Sequence, residues 1–178
     1  MQISTTDSGG ERGQDVFGAF IDVPIIVGGF VFMAVFRRRL SSAILGTRTP
    51  AVLLFALSAI PLIVLEEDID CMPAWCGRVI LPPTLPFILF EVLVLGGIVM
   101  LLKAHSLSRI MAAFCVCGVG FELSVGGLTG ASLLVDIIIG PYVAVGYAYV
   151  SMLPIQVLLD GKASGNLWRP VGKHSLFG

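Results

Sequence analysis

The stretch VILPPTLPFILFEVLVLGGIVMLL, residues 79–102, is apolar apart from Thr84 and carries one charged residue, Glu91; Lys103 stops it. Its apolar run is continuous, whereas a membrane-barrel strand alternates. A helix rising 1.5 Å per residue needs about 20 such residues to cross the hydrocarbon core, where the backbone must satisfy its own hydrogen bonds. The stretch reads as a transmembrane helix that carries one buried acid.

Four further runs read the same way on either side of it. The first occupies 16–36 and is stopped by Arg37, Arg38 and Arg39; the second occupies 51–65, between Pro50 and the acidic Glu66, Glu67 and Asp68. This second run is short and holds Pro61, which interrupts a helical ladder. It either reaches back to Ile44 with Arg48 snorkelling, or forms a re-entrant segment. Two more runs end at Thr129-Gly130 and at Asp160-Gly161-Lys162. The expected fold is therefore all-α: an integral membrane bundle of about five transmembrane helices, with spans at 16–36, 48–65, 79–102, 108–128 and 132–159. Residues 1–15 read as a flexible polar tail without a signal-peptide layout, and 160–178 as a short polar tail in which Trp168 and Arg169 suit an interface.

Composition agrees with this reading. Of 178 residues, 56% are hydrophobic and only 13% charged, where a soluble domain carries about 25% charged residues. Eleven basic residues against twelve acidic ones leave no footprint for nucleic acid. A soluble enzyme, a disordered chain and a nucleic-acid binder are excluded. Orientation follows from the basic residues: with the N-terminus outside, nine of the eleven fall in cytoplasmic segments, and only Arg12 and Arg78 lie outside. The expected location is a plasma or other energy-transducing membrane, crossed several times, with the C-terminus cytoplasmic.

Several chemistries lack their residues. Both histidines, His105 and His174, lie outside the spans, so no imidazole pair is available for haem or copper, and no mid-span lysine is available for a Schiff base. Zinc-hydrolase, phosphate-loop and intramembrane Ser/His patterns are missing too. The fragment Ala144-Val145-Gly146-Tyr147-Ala148 has the Gly-Tyr of a potassium-channel filter, but it lies mid-span without the preceding threonine or a pore helix. No catalytic residue and no cofactor is assigned, and the identity of any metal stays open.

The acids give the one sharp pattern. Asp22, Glu91, Glu122 and Asp136 fall inside the first, third, fourth and fifth spans, all in the outer half or near the middle. A carboxylate at the bilayer centre costs about 2.5–3.5 kcal/mol on insertion scales, so each is a candidate ion- or proton-binding residue. Gly118, Glu122 and Gly126 share a helix face, as do Asp136, Gly140, Ala144 and Ala148, and such small-residue faces allow close helix approach. With no buried Lys or Arg nearby, each acid needs a proton, a neighbouring hydrogen-bond donor or a bound cation. Two look-alike segments, Phe90-Glu91 with Gly97 and Phe121-Glu122 with Gly127, would place a site at a helix pair if they form an inverted repeat.

Glu66, Glu67, Asp68 and Asp70 form an acidic outer vestibule, read either as a solvated boundary or as a funnel for cations. Cys71 and Cys76, flanking Pro73 on the oxidising side, are expected to form a disulfide. Cys115 and Cys117 read as packing residues, and Arg37, Arg38, Arg39, His105 and Arg109 as anchors to lipid headgroups. Two functional readings follow. The first is a small membrane protein that binds or moves a cation or proton through an outward-facing carboxylate cluster. The alternative is a non-catalytic accessory subunit of a larger membrane complex. Beyond the lipid bilayer, either implies a homo-oligomer or a larger assembly.

Overall fold

A computed structural model describes residues 8–47, 49–70, 85–102, 105–124, 133–165 and 167–168, with side chains described except at 8–22, 67–70, 133–136 and 138. Within them the chain is wholly helical: α1 Ser8–Leu45, α2 Ala51–Asp70, α3 Leu85–Leu101, α4 Leu107–Ser124 and α5 Leu133–Ala163. No strand occurs among the described residues. Two segments, Leu107–Ser124 and Ile139–Ala163, are long and apolar enough to cross a membrane; the apolar stretches Ala51–Glu66 and Leu85–Leu101 are shorter.

The helices begin and end by local chemistry. The Pro50 carbonyl accepts the first amides of α2, from Leu53 and Leu54, at 3.0 Å each. Ser106 performs the same service for α4, accepting from Arg109 and Ile110. After α5 the chain turns at Gly165, whose φ of 72° suits glycine at a helix end. Next to it, the Leu167 carbonyl accepts from the Val52 amide and ties the end of α5 to the start of α2. Pro61 does not divide α2, which runs unbroken through it.

Helix α5 is the axis of the fold. It packs along α1, α2 and α4, while α3 rests on α2 and α4. Consequently its middle, from Ala148 to Leu158, is buried almost continuously. The glycines of the neighbouring helices serve this packing in a particular way. A Cβ at Gly118 would lie 2.5 Å from the Tyr147 ring, and one at Gly29 would lie 2.8 Å from the Tyr149 ring. These glycines are notches for aromatic rings of α5, rather than points where two backbones touch.

The outer faces are apolar. Leu93 on α3 is 72% exposed and Val116 on α4 is 73% exposed, and Phe87, Phe90, Val35 and Val31 are also exposed. Apolar surface on this scale marks contact with lipid or with another protein.

Candidate functional site

The site is built where α3, α4 and the upper part of α5 meet. Glu91 lies midway along α3, one residue after Phe90; Glu122 lies near the end of α4, one residue after Phe121. The Phe90 and Phe121 rings meet across the two helices with centroids 6.5 Å apart. The two look-alike segments are thus side by side, and their glutamates line one cavity of about 370 Å³.

Tyr147 closes this cavity from α5. Its ring is seated in the Gly118 notch and held edge-on by Phe114 at 5.5 Å. That seating aims the hydroxyl at Glu122, to whose Oε1 it donates a hydrogen bond of 3.3 Å. The rest of the wall is apolar and aromatic, including Phe87, Phe90, Phe114 and Phe121. Aromatic faces attract cations through their quadrupole, so the wall and the acids favour the same sign of charge.

Glu66 approaches from the last part of α2. Its Oε1 lies 2.8 Å from where a Cβ on Gly146 would stand, so the carboxyl rests against the α5 backbone immediately before Tyr147. A side chain at position 146 would displace it. Glu66, Glu91 and Glu122 all lie within electrostatic reach of the Tyr147 hydroxyl. Among the described residues no three His, Cys, Asp or Glu side chains gather closely enough to hold a metal ion. The arrangement suits a proton, or a cation held by two carboxyls and aromatic faces.

Other expected site residues are less fully placed. Asp22 lies on α1 and Asp136 on α5, but their side chains, with those of Glu67, Asp68 and Asp70, lie outside the described residues, as do Cys71 and Cys76 altogether. Cys115 and Cys117 are free thiols; Cys115 donates to the Ala144 carbonyl at 3.3 Å, which suits a packing role, whereas Cys117 is exposed and lines the acidic cavity.

Two features escaped the sequence reading. Tyr147 was legible only as the tyrosine of a discounted filter-like fragment; its value comes from the register of α5 against α4. The second lies at the opposite end of the bundle. Asp160 accepts from Ser41 at 2.6 Å and from Gln156 at 2.8 Å, and Ser41 is fully buried. The Gln156 and Asp160 pair has the i, i+4 spacing of helical neighbours, a signal that was available; Ser41 is 119 residues away and was not. Compared with family models, curated proteins and solved structures, the chain matches none of them.

Proposed function

We propose that this chain is a multi-pass membrane protein whose Glu91 and Glu122 bind a proton or small cation and pass it across, or partway across, the bilayer. The observation that carries the reading is the convergence of these two acids, from different helices, on one cavity lined by aromatics and closed by Tyr147. Two carboxyls on one apolar cavity can share a proton or a cation, and acids within membrane spans mark such pathways.

The membrane reading is supported by mean hydropathy of +0.96, by two helices of spanning length and by the exposed apolar faces of α3 and α4. In this reading all five helices cross, with the N-terminus outside and the C-terminus cytoplasmic. The juxtaposition of the end of α1, the start of α4 and the end of α5, carrying Arg37, Arg38, Ser108 and Gln156, fits alternating spans whose basic ends share the cytoplasmic face. Glu66 then belongs to the outer side, as a carboxyl that raises cation concentration near the cavity. Cys71 and Cys76 would lie on that side and form a disulfide.

The test is reconstitution into sealed vesicles with a proton- or cation-sensitive dye inside. Wild type should carry flux, and Glu91→Gln or Glu122→Gln should abolish it while the protein elutes and melts as wild type does. A wild type without flux or cation binding would reject the reading. The accessory-subunit alternative is favoured by one observation: the face of α3 that carries Leu89 and Leu93, away from the cavity, is exposed and offers itself to a partner helix. Under that alternative both glutamine variants assemble normally and no flux exists to lose.

A further inference from the structure

A second cavity, of about 550 Å³, opens between α1, α4 and α5 at the end opposite the acidic site. Its walls change character along the helix axis. Deep in the bundle they are apolar, with Phe30 on α1, Met111 on α4 and Met152 on α5. Toward the helix ends they become polar and basic, with Arg37 and Arg38 on α1 and Ser106 and Ser108 at the start of α4. Phe30 and Arg38 are separated by about 12 Å along α1 at helical rise. No carboxylate lines this cavity among the described residues.

The basic end is built to receive an anion. Arg37 turns one guanidinium nitrogen back onto the Ala34 carbonyl, and its Nε is buried without a hydrogen-bond partner among the described residues. An arginine has five N–H donors, so most of this group is still to be used. Arg38 adds a second positive charge, and the two serine hydroxyls lie 3.1 Å apart. They stand at the first turn of α4, where unused backbone amides also favour negative charge. Paired arginines beside hydroxyls recognise a phosphate oxygen fork.

We infer that this cavity is a binding site for an anionic phospholipid, with the phosphate between Arg37, Arg38 and the Ser106–Ser108 turn and an acyl chain along Phe30, Met111 and Met152. The apolar depth separates a lipid from free phosphate, which would use only the basic end. The assignment rests on the membrane reading but not on the Glu91 and Glu122 site. It also fits the leaflet, since the basic ends are the cytoplasmic ones and basic pockets between spans bind anionic headgroups there.

The experiment uses the full chain purified in a neutral detergent, with lipid retention counted by native mass spectrometry. The probes are phosphatidylglycerol, phosphatidylcholine and inorganic phosphate. Wild type should retain phosphatidylglycerol about tenfold better than phosphatidylcholine, and inorganic phosphate should not displace it. Arg37→Gln with Arg38→Gln should erase that preference, whereas Arg109→Gln, outside the cavity, should keep it. Equal retention of both lipids, unchanged preference in the double variant, or displacement by inorganic phosphate would overturn the site. Should the double variant fail to fold, a photoreactive phosphatidylglycerol decides on wild type: labelling must concentrate on 30–38, 106–111 and 152–159, and labelling elsewhere overturns it. Alkaline carbonate releasing the protein from membranes would overturn the membrane reading itself, an outcome separable from loss of lipid preference alone.

Discussion

Asp160 and Glu122 are both partly buried acids at opposite ends of a helical bundle, and their surroundings differ in kind. Each oxygen of Asp160 is met by a neutral donor, one from Ser41 and one from Gln156. Around Glu122 the acids gather instead: Glu91 shares its cavity, and Glu66 lies near the tyrosine that Glu122 engages. A carboxyl supplied with donors is a strut between helices. Two carboxyls that line one cavity can instead share a proton or a cation. Burial of an acid therefore says little until its oxygens are accounted for.

Substitution should separate these two kinds of acid. The largest effect is expected at the acidic cavity: Glu91→Gln or Glu122→Gln lowers proton or cation flux in vesicles by tenfold or more, equivalent to roughly 1.4 kcal/mol or above. Asp160→Asn leaves flux within about twofold and instead lowers the unfolding midpoint, since one matched acceptor is lost at about 1 kcal/mol.

Packing supplies the next largest contrast. Gly118→Leu drives a side chain into the Tyr147 ring and should cost about 1–3 kcal/mol by overpacking. Gly120→Ala, two residues along the same helix and with nothing near its added carbon, should be neutral or slightly stabilising through helix propensity. Denaturant titration in detergent compares the two. If both behave alike, α4 does not sit against α5 through the Gly118 notch.

The smaller effects fall on single hydrogen bonds. Ser41→Ala removes one donor from Asp160 and should cost about 0.6 kcal/mol, the mean for side-chain hydrogen bonds between membrane helices, and at most about 1.7. Tyr147→Phe keeps the ring in its notch and removes only the donor to Glu122. Its stability change should be near the lower figure, about 0.6 kcal/mol, while flux or cation affinity changes severalfold. Equal effects on stability and binding would make Tyr147 a packing residue.

The helices were legible because their apolar runs are continuous, and Lys103 and the Arg37–Arg39 run mark where apolar sequence stops. Those marks give the edge of the apolar layer, not the end of the helix. Thus α1 extends from Ser8 to Leu45, past three arginines, since charged residues with good helix propensity prolong a helix beyond it. The two small-residue faces fare differently: Gly118 receives a tyrosine ring rather than a neighbouring backbone, and Gly140 has nothing near where a Cβ would stand. Placing Glu91 and Glu122 on one cavity was an inference from depth and face. Tyr147, Glu66 against Gly146 and the Ser41 to Asp160 bond depend on the axial register between distant helices, which no local pattern encodes.

Whether Glu91 and Glu122 act as one site is decided by comparing Glu91→Gln, Glu122→Gln and the double substitution for cation or proton flux in the same vesicles. Residues that act as a unit are strongly non-additive. If they do, either single substitution already brings flux to background and the double substitution lowers it no further; partial losses that add in the double variant, or flux that survives all three, show that they do not.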